Sequence, residues 1–255
     1  MKTSISNSSN KGIIVMIHGN SSSTNIFRDL NLGYTTILPV LLGHETLNNH
    51  YNSKDRFDLK NNKRHLIKII KTYKGPILLV GNSLGGHLAI EIASEIKNLK
   101  GLIIFGTPPV KKPINIDEAF LPVEALNTFL NEHAALSDIH QAADVAVYSE
   151  KHRASIIADF SRTNSKVRAH LAEDIINGNW SDQYNLFTHL DCPKIIVSGD
   201  HDPSVNKDYL KRTVENSINN TQLIELEECG HYPTLEQPDK MSKIINDFAA
   251  KIFSV

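Results

Sequence analysis

Three clusters of residues in this 255-residue chain have the types and order that nucleophilic catalysis needs. The first is Gly81-Asn82-Ser83-Leu84-Gly85-Gly86, which follows an apolar run at 76–80 and precedes a helical pattern. Gly-x-Ser-x-Gly between a strand and a helix marks a nucleophile elbow. Such a turn is so tight that side chains at its flanking positions would collide, which explains the glycines. It holds the serine in a strained conformation at a helix N-terminus, where the macrodipole favours developing negative charge. Ser83 is therefore the candidate nucleophile. The plainer alternative is a glycine-rich turn that only packs a strand on a helix.

The second cluster is Gly230-His231, after an apolar run at 222–226 and before a C-terminal helical pattern. A histidine there can reach the elbow from the carboxyl edge of a sheet. Its near-neutral pKa suits it to take the serine proton and return it to the leaving group. Most of the 12 histidines need be no more than solvated side chains; position distinguishes His231. The third cluster is Gly199-Asp200-His201-Asp202-Pro203, where an acid could orient the histidine and stabilise its imidazolium. Asp202 lies deeper in that loop and is preferred to Asp200, although it could simply initiate a turn before Pro203. A fourth segment, His18-Gly19-Asn20-Ser21, follows the first apolar strand. Backbone N–H groups of Asn20 and Leu84 would there form an oxyanion hole. Its serine-rich tail could equally cap the next helix, and His18 reads as a buried loop anchor.

These residues need a scaffold, and the hydropathy pattern supplies one. Continuous apolar runs at 12–17, 35–38, 77–80, 102–105, 194–197 and 222–226 suit strands covered on both faces, as in a parallel sheet. Helical periodicity at 59–72, 84–96 and 240–253 separates several of them. Such alternation predicts an open α/β sheet. It fails over 107–190, where only helical patterns occur, at 117–131, 137–147, 150–161 and 165–177. The expected organisation is a core of residues 1–106 and 191–255, with 107–190 inserted as a helical cap. Its apolar positions Phe120, Leu121, Val123, Leu126, Phe129 and Leu130 should mostly pack on one another or on the sheet, with a few facing a pocket.

The ordered motifs together resemble the α/β-hydrolase superfamily: His-Gly-Asn-Ser, Leu-Pro-Val-Leu-Leu-Gly-His at 38–44, Gly-Asn-Ser-Leu-Gly-Gly, Gly-Asp-His-Asp-Pro, and Gly-His-Tyr-Pro-Thr-Leu-Glu-Gln-Pro at 230–238. The resemblance spans nearly the whole chain. It implies an α/β-hydrolase fold with a mostly parallel sheet, Ser83 as nucleophile, Asp202 as acid, His231 as base, and Asn20 and Leu84 as oxyanion residues. Only about 11 residues precede the first strand, so the antiparallel hairpin usual there is expected to be shortened or missing. A narrower likeness, in His-Gly-Asn-Ser-Ser-Ser, Phe-Gly-Thr-Pro-Pro-Val at 105–110 and Arg162-Thr163-Asn164, is to the α/β-hydrolase acyl-homoserine lactonases. Dehalogenases and epoxide hydrolases of this fold carry Asp at the elbow, and Ser83 argues against both.

The expected activity is cleavage of a carboxylic ester or lactone through an acyl-enzyme, with ring opening of an N-acyl-homoserine lactone implied by the narrower likeness. A general carboxylesterase and a non-catalytic ligand-binding member of the fold are the alternatives. No cofactor or metal is expected; Asp200-His201-Asp202 has no second cluster with ligand spacing. Lys+Arg 27 against Asp+Glu 28 gives no reason to expect nucleic acid or an anionic membrane as partner. Two distant cysteines and no apolar stretch near the roughly 20 residues of a span predict a soluble cytoplasmic protein. Oligomeric state is left open.

Overall fold

The computed structural model describes residues 12–44 and 54–254. Six parallel strands form one sheet: β1 (Ile13–Ile17), β2 (Thr35–Ile37), β3 (Ile77–Asn82), β4 (Leu99–Phe105), β5 (Lys194–Gly199) and β6 (Thr221–Leu226), in the order β2-β1-β3-β4-β5-β6. Each expected apolar run is a strand. The expected shortening or loss of the hairpin ahead of β1 concerns residues 1–11, outside the described residues.

Strand periodicity divides the core. Val15, Ile17, Leu79, Leu102, Ile104 and Ile196 face one side, packed with α1 (Leu59–Ile70) and α2 (Leu84–Ile92). Ile14, Met16, Leu78, Val80, Ile103, Phe105 and Val197 face the other, under α10 (Pro238–Phe253). Successive side chains on a strand point to opposite faces, so a doubly covered strand must be apolar throughout. Helix ends are set locally: Asp58 caps α1, Asn206 caps α8 (Lys207–Glu215), and Pro238 takes the first turn of α10.

From β1 the chain crosses to β2 at one edge, then returns to lay β3 on the other side of β1. This reversal opens a crevice at the carboxyl ends of β1 and β3, the usual binding position in an open α/β sheet. Ile17 and Gly81 are register partners, so the loop after β1 and the turn after β3 leave the sheet side by side.

Between β4 and β5 no residue joins the sheet. The segment holds α3 (Ile116–Ala119), a 3₁₀ segment Glu124–Leu130, α4 (Leu136–Ala146), α5 (Arg153–Arg162), α6 (Lys166–Ile176) and α7 (Gln183–Thr188). The continuous helix expected at 117–131 is not formed. Phe120 leaves α3 in an extended conformation and bridges Val205. Pro122 disfavours helical backbone at Leu121 and has no N–H to give. α7 packs on α2 and buries Phe187 in the core, as a crossover helix does. α4 and α6 instead pack on the 3₁₀ segment.

Candidate active site

Ser83 sits at the junction of β3 and α2 with φ 51° and ψ −122°, a region that residues other than glycine rarely occupy. Its surroundings enforce this. A Cβ on Gly85 would lie 2.2 Å from the Ile17 carbonyl, and one on Gly81 would lie 2.5 Å from the Gly85 carbonyl. The Ser83 N–H donates to Phe105 O at 2.9 Å, and Thr107 Oγ1 donates to Ser83 O at 2.9 Å. The turn is thus fastened to β1 on one side and to the end of β4 on the other. Leu84 is the first residue of α2, so its N–H has no acceptor within the helix.

His231 lies in the loop between β6 and α9 (Pro233–Glu236). Its Nδ1 is 2.9 Å from Asp202 Oδ2. The other Asp202 oxygen accepts from Ser204 N at 2.9 Å and Ser204 Oγ at 2.7 Å. Burial pushes the Asp202 carboxyl up, but His231 and the Ser204 bonds outweigh it and hold its pKa below the usual value. Burial pushes His231 down, while the Asp202 charge and hydrogen bond leave it raised overall. An ionised Asp202 can only accept, so in the neutral ring Nδ1 carries the proton and the lone pair is on Nε2. Asp200 makes different contacts: it binds His201 Nδ1 at 2.7 Å and accepts from Cys229 N at 3.1 Å. Burial also raises the Cys229 thiol pKa, which keeps it a packed, neutral group.

Several residues without an assigned role in the sequence hold this histidine in place. Asn82 Nδ2 donates to the His231 carbonyl at 3.2 Å, joining the base to the residue before the nucleophile. His231 N–H donates to Ala146 O at 2.9 Å. The Glu236 carboxylate accepts from Gly230 N at 2.9 Å, Tyr148 N at 2.6 Å and Ser149 N at 3.2 Å. Gly106, at φ +60°, leaves room for the ring: a Cβ there would lie 2.5 Å from His231 Cε1. Glu236 stands in the motif after His231, and Gly106 in Phe-Gly-Thr-Pro-Pro-Val, but only folding shows what either touches.

On the opposite wall, Asn20 is buried in the loop after β1 and its side chain donates to Phe129 O at 2.5 Å. Ser21, at φ 50°, gives its N–H to His44 Nε2 at 3.1 Å. Burial and the adjacent His18 push His44 well below the ordinary histidine pKa, consistent with a neutral acceptor. His18 is fully buried and accepts the Leu41 N–H at 3.1 Å. Ser23 caps the following 3₁₀ turn and also donates to Asp159 at 2.8 Å.

A cavity of about 490 Å³ opens between these walls, and Asn20, Ser83, Leu84 and His231 all line it. Its remaining surface is mainly apolar. Phe120, Leu121, Val123, Leu126, Phe129 and Leu130 all line it, where only a few were expected to, and Phe120, Leu126 and Phe129 also pack against the core as expected. The break at Pro122 explains this, because a continuous helix would turn half of those side chains away.

The model of the alpha/beta hydrolase family matches residues 14–244, and the chain belongs to that family. Lipase 1 of Psychrobacter immobilis is 24% identical over 239 residues, covering 89% of this chain and 73% of the lipase. The N-acyl homoserine lactonase AidH complexed with N-butanoyl homoserine superposes with a TM-score of 0.84 at 23% identity, covering 97% of this chain and 90% of that one. A thermophilic esterase from Thermogutta terrifontis superposes at 0.78 with 17% identity, covering 98% and 94%. The two superpositions show a shared fold. Among the described residues no helix is long and apolar enough to cross a membrane.

Proposed function

We propose that the protein is a serine hydrolase that opens the lactone ring of N-acyl-homoserine lactones through an acyl-enzyme. The observation that carries the reading is His231, held by Asp202 at 2.9 Å and lining one cavity with Ser83 at its strained turn. In this mechanism His231 Nε2 takes the Ser83 proton as Oγ attacks the carbonyl carbon. The tetrahedral oxygen is held by the N–H groups of Asn20 and Leu84, where one donor is worth about 2.7–4 kcal/mol. Collapse breaks the ring C–O bond, and His231 returns its proton to the alkoxide, which stays tethered to the acyl group. Water then cleaves the acyl-enzyme by the same proton path.

The segment 107–190 acts in this reading as a cap whose apolar side chains receive the acyl tail. A cytoplasmic location fits the two separate, buried, unpaired cysteines. Mass spectrometry of products near neutral pH, against a no-enzyme control, tests the substrate. Ring-opened N-acyl-homoserine is the expected product. Free fatty acid with intact homoserine lactone would mean amide cleavage and defeat the proposal. A general carboxylesterase is the second reading, favoured by the lipase among the relatives. Brisk hydrolysis of simple esters with no lactone opening above the control would select it.

A further inference from the structure

His87 lines the same cavity as Ser83, one helical turn further along α2, and its N–H bonds back to the Ser83 carbonyl at 3.1 Å. A chain of hydrogen bonds fixes its ring. Glu91 Oε2 pairs with Lys63 Nζ at 2.9 Å and accepts Ser181 Oγ at 2.8 Å, while Oε1 accepts Ser181 N at 2.8 Å. Burial pushes this carboxyl up, yet Lys63, Ser181 and Gln183 outweigh it and keep it ionised at neutral pH. An ionised carboxylate only accepts, so Gln183 must turn its amide nitrogen to Glu91 Oε1, 3.1 Å away. Its oxygen then faces His87 Nδ1 at 2.7 Å, and Nδ1 must be the protonated nitrogen. Burial lowers the His87 pKa to about 4, so the ring is neutral and Nε2 carries a lone pair. The ring is packed against Trp180, centroids 4.4 Å apart.

An acceptor of fixed tautomer in a mainly apolar cavity has value only if something donates to it. We propose that His87 determines specificity by accepting, at Nε2, a hydrogen bond from an N–H or O–H on the substrate's acyl portion. The acyl side is assigned because the acyl group stays bonded to Ser83, whereas the alcohol leaves toward the proton on His231. In the N-acyl-homoserine lactone of the proposed function the amide N–H, two bonds from the scissile carbonyl, is the donor on the acyl portion, and His87, one helical turn from Ser83, is the acceptor assigned to it. This inference rests on the hydrolase reading and narrows its substrate class.

The test is a cycle that changes protein and substrate separately. Ethyl N-hexanoylglycinate and ethyl 4-oxononanoate differ only in N–H against CH₂ at that position. Their kcat/KM ratio is measured by acid release for the wild type and for His87→Leu, which cancels their intrinsic reactivity difference. The ratio should be about tenfold larger in the wild type. Equal ratios overturn the proposal. Fluorophosphonate labelling at Ser83 checks that the variant site is assembled. Should His87→Leu fail that check, Gln183→Leu takes its place; it frees the ring from its fixed tautomer and should shrink the ratio too, and an unchanged ratio there is equally fatal. If the wild type neither takes the label nor cleaves p-nitrophenyl butyrate, the hydrolase reading itself has failed. Cleavage of p-nitrophenyl butyrate with equal ratios, or with neither ethyl ester turned over, defeats the His87 assignment alone.

Discussion

The turn at 81–86 and the wall at 116–130 border the same cavity but are built differently. In the turn, position is set by backbone against backbone: added Cβ atoms on Gly81 and Gly85 would meet carbonyl oxygens at 2.5 Å or less. In the wall, two short helical pieces flank an extended stretch, and position is set by side chains such as Phe120 and Leu126 that cover the cavity. Leu121 is 45% exposed, so that packing leaves room at its outer edge. Under the proposed function, the contrast puts the chemistry on a part with no slack and the choice of substrate on a part that tolerates exchange.

The comparison breaks if the reacting group is not in the turn. Ser83→Ala should cut ester turnover by a factor on the order of 10⁶ without unfolding the protein, read by single-turnover kinetics and circular dichroism. Fluorophosphonate labelling that survives the change would remove the nucleophile from this turn.

A smaller loss, about 10⁴-fold in kcat, is expected for Asp202→Asn, which would hold the wrong histidine tautomer. Asp200→Asn should cost only a few-fold, since its partners are His201 and Cys229 N–H. Comparable losses would assign the acid wrongly. The pH profile gives an independent reading. A general base works when unprotonated, so kcat/KM should rise with pH through the His231 pKa. Asp202 holds that pKa above the ordinary value, so the limb lies higher than for a free histidine. Residual activity of Asp202→Asn should rise at lower pH; a limb that stays put would show another group titrating.

Gly85→Ala sharpens the structural half of the contrast. Its Cβ meets main chain, which cannot yield as a side-chain tip can, so the loss should reach or exceed the roughly 1–3 kcal/mol usual for overpacking. Chemical denaturation measures it, and near-wild-type stability would show slack in the turn. The smallest effects belong to the wall. Leu126→Ala should shift acyl-chain preference several-fold while changing turnover of p-nitrophenyl acetate less. An equal change for long and short esters would mean that the wall acts on chemistry as well.

What could be read from the sequence follows the same division. The strands stood out because burial on both faces forces unbroken apolar runs, and the elbow because only glycine fits two positions before and after Ser83. Preference for Asp202 over Asp200 rested on loop depth alone, and the coordinates set Asp202, not Asp200, against His231. The wall was misread because the helical periodicity at 117–131 took no account of Pro122, and only a few of its six apolar residues were expected to line a pocket. His87 was passed over although it lies four residues after Ser83, a spacing that puts both on one helix face. Its partner Gln183 is 96 residues away, and no local pattern reveals that distance.

Glu236 has a mechanical consequence. Its two oxygens grip the N–H of Gly230, just before His231, and those of Tyr148 and Ser149, just after α4. One carboxylate therefore rivets the histidine loop to the middle of the helical segment, and His231 N–H to Ala146 O adds a second fastening. That point behaves as a fixed anchor. At 119–121 the segment is tied again, to the loop that carries Asp202, by Leu121 N–H to Ser204 O at 2.8 Å, Asn206 N–H to Ala119 O at 3.0 Å and the Phe120–Val205 bridge. Amide exchange should accordingly be slow at Gly230, Tyr148 and Leu121. One segment thus holds the loops of His231 and Asp202 at two separate points.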